Sequence, residues 1–211
     1  MAEDEYRGEK IIVRSDGMRC IHSRYCVLGR PEVFVPNVEG PWIKPDAYPA
    51  DAVAAQIMLC PSGALTFRRL DGGADEKPPG VNVARIWENG PLFFNAELDV
   101  GGDTSSFRAT LCRCGQSKRK PYCDHSHVEA GFSATGEPES KASEPLAIRN
   151  GPLKVTPQKD GSLMVEGALE ICTASGRTVS RETKTWLCRC GQSGKKPFCD
   201  GTHKKVGFKA E

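Results

Sequence analysis

Ten of the 211 residues are cysteine. Six of them stand with two histidines in one pattern that occurs twice, C-x-C-x8-C-x3-H: Cys112, Cys114, Cys123 and His127, then Cys188, Cys190, Cys199 and His203. Thiolate and imidazole are soft to borderline donors, and four of them within 16 residues are a metal site. Buried apolar cysteines with a surface histidine would not recur position for position. The choice lies between zinc and an iron–sulfur cluster. Structural zinc usually takes its cysteines in pairs spaced C-x2-4-C, and the C-x-C pair here is tighter. In an extended segment, residues two apart point the same way. Cys112 and Cys114 can therefore reach one iron from one side, leaving Cys123 and His127 for a second. A two-iron cluster fits that two-plus-two division. The alternative is a Cys3His zinc module that contacts RNA, with Tyr122 or Phe198 stacking on bases and the basic loops holding phosphates.

The elements that position these donors form an internal repeat. Two polar stretches rich in Gly and Pro, 71–80 and 133–145, divide the chain into residues 1–70, 81–132 and 146–211. Asn89-Gly90-Pro91-Leu92 recurs as Asn150-Gly151-Pro152-Leu153, and LCRCGQS at 111–117 recurs at 187–193. The cysteine blocks keep a separation of 76 residues whereas the NGPL blocks are 61 apart, so the second copy carries a 15-residue insertion ahead of its cysteines. Short strands are expected at 83–87, 92–98 and 106–111, then at 145–149, 162–171 and 177–187. Halves this small do not bury a sufficient core alone and should pack on one another as a pseudo-twofold β structure. The first part differs. It has a strand at 10–14, a cysteine-bearing loop and a helix at about 49–59, with Pro49 near its first turn and Val53, Ile57 and Leu59 as its apolar side. The fold class expected is α+β.

Composition narrows the setting. With 29 basic and 27 acidic residues the net charge is +2, which excludes polyanion binding driven by net charge. The longest apolar run, 52–60, is nine residues and contains Gln56, so no bilayer span is expected. The start of the chain has no apolar h-region and is acidic where a transit peptide would be basic, so a soluble, cytoplasmic protein is expected. Ten thiols in a reducing compartment ask for metal, not disulfides.

The stretch C-x-C-x2-S-x3-P-x-C-D-G-T-H at 188–203 resembles the CDGSH iron–sulfur domain family. The first copy matches through Cys112, Cys114, Ser117, Pro121, Cys123, Asp124, Ser126 and His127. The resemblance covers about residues 83–211. It implies a [2Fe–2S] cluster held by three Cys and one His in each copy. Family members with one motif form homodimers, so two motifs in one chain imply a monomer that builds the pair internally. The membrane anchor of the mitochondrial members has no counterpart here. One position departs: the motif's glycine is Gly201 in the second copy and His125 in the first. Asp124 and Asp200 are expected as N-caps of a short helical turn, with 125 or 201 the first residue inside it. Register with His203 selects His127 as the ligand and leaves His125 spare.

A third set lies in the first part, where Cys20, Cys26 and Cys60-Pro61 read C-x5-C…C-P. Single-cluster ferredoxins use C-x2-C-x2-C and a distant C-P, and here Ser23 takes the middle place. CIHSRYCVLGRPEVF at 20–34, PWI at 41–43 and CPSGAL at 60–65 resemble the divergent mono-cluster ferredoxin-like domain. That resemblance implies a third cluster with three thiolates. It would be [3Fe–4S], or [4Fe–4S] whose last iron takes Ser23, His22 or water. Cys172, inside the insertion, reads as a buried strand residue.

An Fe2S2 core with three thiolates and a neutral imidazole carries one negative charge fewer than with four thiolates. Its potential should lie above that of an all-Cys plant-type ferredoxin. Arg113, Lys118, Arg119, Lys120, Arg189, Lys195, Lys196, Lys204 and Lys205 push the same way. Most of them read as a solvated loop surface, able to dock an acidic partner. Imidazole must be neutral to hold iron, so the site should be acid-sensitive, with His203→Cys slowing cluster loss at about pH 6. No catalytic triad, nucleotide loop or positioned carboxylate pair is visible. The expectation is a non-enzymatic iron–sulfur protein that carries electrons or stores and donates clusters to a redox or acceptor protein.

Overall fold

Ile11, Ile12 and Val13 form a β-branched run with no exposure to water, and they make the middle strand of the first unit. The chain is described over residues 3–210 in a computed structural model. It divides into two units, one ending at Lys77 and one beginning at Pro78. In the first, β1 (Asp4–Arg7), β2 (Ile11–Ser15) and, after α1 (Tyr25–Gly29) and α2 (Ala50–Met58), β3 (Leu65–Arg69) form an antiparallel sheet in the order β1-β2-β3. Pro49 caps α2, as its fixed φ suits the entry to a helix. Val53 and Ile57 are fully buried against Ile11, Val13, Phe34 and Ile43. Leu59, expected on that apolar side, falls after the last helical turn and is 58% exposed.

The second unit contains β4 (Val83–Ile86), β5 (Leu92–Asn95), β6 (Glu97–Val100), β7 (Arg108–Leu111), α3 (Ser126–Glu129), β8 (Pro152–Pro157), β9 (Leu163–Thr173), β10 (Thr178–Leu187) and α4 (Thr202–Lys205). Its strands make one sheet in the order β6-β8-β9-β4-β5-β7, with β10 also on β9. The two copies are interleaved. β4 of the first lies parallel to β9 of the second, with Ala84 opposite Ile171, and β6 lies parallel to β8, with Leu98 opposite Leu153.

Two sequence expectations change as a result. The run 92–98 is not one strand. It breaks at Ala96, whose N–H donates to Phe107 O at 2.9 Å, so β5 pairs with β7 while β6 crosses to β8. Residues 145–149 form no strand, because β4 of the first copy takes the place beside the C-terminal half of β9. Asn82 fixes the seam. Fully buried, its Nδ2 donates to Gly151 O at 2.8 Å and Ala168 O at 3.0 Å, and its Oδ1 accepts from Glu97 N at 3.3 Å. Leu92, Phe94, Leu111, Leu153, Val165 and Leu187 fill one core drawn from both copies. Among the described residues no helix is long and apolar enough to cross a membrane.

Candidate metal centres

Strand β7 ends on buried Leu111 and passes directly into Cys112; β10 ends on buried Leu187 and passes into Cys188. Each loop then turns back onto its own strand. Cys112 N donates to Pro121 O at 2.8 Å and Cys123 N to Thr110 O at 2.9 Å; in the second copy Cys188 N donates to Pro197 O at 2.7 Å and Cys199 N to Trp186 O at 2.8 Å. This return brings the third cysteine beside the first two. Ser117 Oγ ties the loop by donating to Tyr122 O at 2.6 Å, as Ser193 Oγ does to Phe198 O at 2.7 Å. The Asp124 carboxylate accepts from Ser126 N at 3.0 Å and Lys118 N at 2.8 Å, and Asp200 accepts from Thr202 N and Gly194 N at the same distances. Burial would raise the Asp124 carboxyl, but hydrogen bonds from Ser126 and Lys118 hold it at about 2. Those from Thr202 and Gly194 lower Asp200 likewise.

The expected helix cap shifts by one residue. His125 and Gly201, not the aspartates, are the N-caps, and both are left-handed, with φ of 72° and 86°. Asp124 and Asp200 stand one place earlier and hold the turn through their side chains. His125 therefore occupies a position that favours glycine.

The donors fall into two pairs at each site. Cys112 and Cys114 Sγ are 3.7 Å apart, Cys188 and Cys190 Sγ 3.8 Å. His127 Nδ1 lies 3.6 Å from Cys123 Sγ, and His203 Nδ1 lies 3.4 Å from Cys199 Sγ. Two sulfurs at ~2.3 Å from one tetrahedral ion are about 3.8 Å apart, and a sulfur with a nitrogen at ~2.0–2.1 Å about 3.6 Å. Each pair thus has the length of one edge of such a tetrahedron. Among the described residues no three His, Cys, Asp or Glu side chains are gathered as the ligands of a single ion. Main-chain N–H groups point at the sulfurs: Gln116 N at 3.4 Å from Cys114 Sγ, His125 N at 3.5 Å from Cys123 Sγ, with Gln192 N and Gly201 N in the same roles. The contact between Cys112 and Cys114 pushes the Cys112 thiol down, while that contact and burial push Cys114 up. Burial lifts Cys123 to about 11 and, with the neighbouring His125 ring 5.2 Å away, lowers His127.

In the first unit, Cys20, Cys26 and Cys60 line one cavity of about 590 Å³, with His22, Ser23 and Trp42 also in its wall. His22 Nδ1 is 3.8 Å from Cys20 Sγ, and Ser62 Oγ is 3.6 Å from Cys60 Sγ. Left-handed backbone at His22 and Arg24 wraps the loop around the cavity ahead of α1, which carries Cys26. Burial raises the Cys26 thiol, and the charges of Cys60 and Cys20 raise it further.

Both parts of the chain match known families. The family of iron-binding zinc fingers of CDGSH type matches residues 89–128 and 160–204. The divergent 4Fe-4S mono-cluster family matches residues 6–70. The uncharacterized protein YjdI of Escherichia coli, strains K12 and O157:H7, is 44% identical over 64 residues, which is 30% of this chain and 82% of that protein. The second unit thus carries two stretches that match the CDGSH iron-binding family. The chain joins two CDGSH motifs to a divergent mono-cluster domain, and both parts support iron–sulfur binding.

One pair of residues beside the CDGSH-type cysteines escaped the sequence reading. Arg113 and Arg189, taken with the other loop cations as solvated, are 1% and 0% exposed. A single arginine between two ligand cysteines carries no burial signal; only its identical recurrence in both copies sets it apart. Cys172 is buried in β9.

Proposed function

We propose that each Cys3His set holds a [2Fe–2S] cluster and that the protein carries electrons or stores and donates these clusters, without being an enzyme. The observation that carries this reading is the division of each donor set into a Cys–Cys and a Cys–His pair, each with the length of a tetrahedral edge. A two-iron cluster needs two such pairs. The donor chemistry fits, since three thiols and an imidazole suit iron–sulfur ligation.

Such a cluster, when bound, supplies a one-electron site. The protein's own residues do the rest. Burial of Cys112, Cys114, Cys123, Cys188 and Cys190 keeps water from the sulfurs, and N–H···S bonds withdraw charge from them. His127 and His203 are only partly buried, so the histidine edge is the side open to a partner. Lys118, Lys195, Lys204 and Lys205 are exposed on the same loops, whereas Lys141, Arg149, Arg177 and Lys184 elsewhere in the unit are ion-paired. The partner proposed is an acidic redox or cluster-acceptor protein. Interleaved strands favour a monomer in which the two motifs form an intramolecular pseudodimer. A third cluster, [3Fe–4S] or [4Fe–4S], is proposed for Cys20, Cys26 and Cys60. The setting proposed is the cytoplasm.

The test is iron, acid-labile sulfide and zinc content of the anaerobically purified chain, with visible absorption and EPR before and after dithionite. About seven or eight iron with two kinds of EPR signal supports all three clusters, and about four iron and four sulfide supports the two CDGSH sites alone. Two zinc and no sulfide would overturn the reading and favour RNA contact.

A further inference from the structure

Gly115 and Gly191 each follow the second cysteine of a C-x-C pair, and two separate demands fall on them. Both are left-handed, with φ of 82° and 79°, a conformation glycine adopts without strain. The second demand comes from the opposite copy. A Cβ on Gly115 would lie 2.5 Å from the Cys190 carbonyl oxygen and 2.9 Å from its carbon, and one on Gly191 would lie 2.7 Å from the Cys114 carbonyl carbon. The contact is reciprocal and runs backbone against backbone, so no side-chain end can move aside. Left-handed backbone alone does not bring this about. A Cβ on Gly131, at φ 58°, would meet nothing within 4 Å.

The arms that meet here have little room to yield. Between the two cysteines of the first pair, Arg113 donates from Nε to Gly90 O at 2.8 Å and from Nη1 to Thr135 O at 2.9 Å. In the second pair Arg189 donates from Nε to Gly161 O at 3.0 Å and from Nη2 to Gln158 O at 2.5 Å. Each glycine also forms the turn that aims the next N–H at a sulfur: Gln116 N lies 3.4 Å from Cys114 Sγ and Gln192 N 3.5 Å from Cys190 Sγ. Shifting one glycine therefore disturbs a sulfur of its own copy, and the carbonyl it touches belongs to a cysteine of the other. Close packing of this kind passes a displacement on instead of absorbing it.

We propose that the reciprocal contact of Gly115 and Gly191 couples the two metal centres, so that each centre holds the other copy's C-x-C pair in place and the chain keeps or loses its two clusters together. The proposal rests on the two-cluster reading. Gly115 and Gly191 are positioning residues that act through Cys190 and Cys114. With Cys188 and Cys190 engaged, the Cys190 carbonyl is fixed where the turn of the first copy packs, and the converse holds for Cys114. Such a coupling is mutual by necessity. A chain that donates clusters would then give up the second soon after the first.

Retention of the centres tests it, on the loaded full chain at about pH 6 with an iron chelator, read by visible absorption and EPR. Cys199→Ser disables the second site and Cys123→Ser the first, and neither touches the glycine contact. In each variant the remaining centre is expected to be lost at least about fivefold faster than in the parent, which should bleach in one phase. In the Cys123→Ser chain, Gly115→Asn adds the Cβ while keeping a left-handed turn that Asn tolerates. It is expected to shorten the half-life of the second centre by a further factor of about five and to change that centre's EPR g values. Gly131→Asn, with open space around it, is expected to do neither. An unchanged half-life in either single-site variant, a second centre indifferent to Gly115→Asn, or an equal effect of Gly131→Asn would overturn the coupling while leaving both clusters in place. If Gly115→Asn does not load, the comparison of Cys123→Ser and Cys199→Ser with the parent decides alone. A parent chain without acid-labile sulfide would defeat the two-cluster reading, and the coupling with it.

Discussion

A neutral imidazole in place of a thiolate removes one negative charge from a metal's surroundings, and each copy of the motif offers one histidine beside three cysteines. Restoring the thiolate should reverse the effect. His203→Cys is expected to lower the potential of the second centre and leave the first nearly unchanged, read by EPR-monitored titration; equal potentials in parent and variant would count against His203 as a ligand. A second residue-level effect sits next to the first centre. His125 is left-handed at φ 72° where the second copy has Gly201. A side chain in that conformation costs about 1–2 kcal/mol, part of which glycine returns through its freer unfolded chain. His125→Gly should therefore raise the melting temperature by about 2–4 °C and Gly201→His lower it, in calorimetry of the loaded chain. At this scale the pairing of these eight Cys and His side chains was legible, because chemistry confined to Cys and His repeats with fixed spacing. The burial of Arg113 was not, since it depends on carbonyls of Trp87, Gly90 and Ala134 that only the folded loop gathers.

Elements are held to one another by contacts that sequence pattern shows unevenly. Helix α2 was legible because Pro49 marks its start and Val53 and Ile57 share one face. Its clamp to β3 was not. Arg69, at the end of β3, pairs with Asp51 of α2 at 2.5 Å and with Asp71 at 2.8 Å, although the separation of 18 residues between Arg69 and Asp51 gives no local signal. Hydrogen bonds from Arg69 and Gly73 hold the Asp71 carboxyl at about 2, below its ordinary 3.8. Because the folded value is the lower one, the contribution to stability is full above about pH 4 and is lost as pH falls through 2. Asp71→Asn should thus lower the melting temperature of the first unit at neutral pH, with the difference from wild type closing by pH 2. A difference that persisted unchanged at pH 2 would remove the carboxylate from the account. Residues 145–149 show the opposite failure. Their alternation suits a strand, but strand partners are chosen by the whole sheet, and β4 holds the place.

Across the whole molecule, duplication was plain from the sequence and interleaving was not. Two copies in series invite two separate halves, yet the sheet runs β6-β8-β9-β4-β5-β7 and alternates between them. Neither centre then rests on its own copy alone. The first centre follows β7, which is reached through β5 and β4 from β9 of the second copy; the second follows β10, which pairs with that same β9. The Asn82 side chain touches β6, the turn before β8 and the middle of β9 together. Asn82→Ala would leave two buried carbonyls and one N–H without that partner, at a cost of about 2–4 kcal/mol. Since the seam joins the copies, the loss should not fall on one centre. On heating, both EPR signals of the variant are expected to disappear in a single transition, at a lower temperature than in the parent. One signal outlasting the other through that transition would mean the copies unfold separately, and that the shared sheet does not bind the two centres into one cooperative unit.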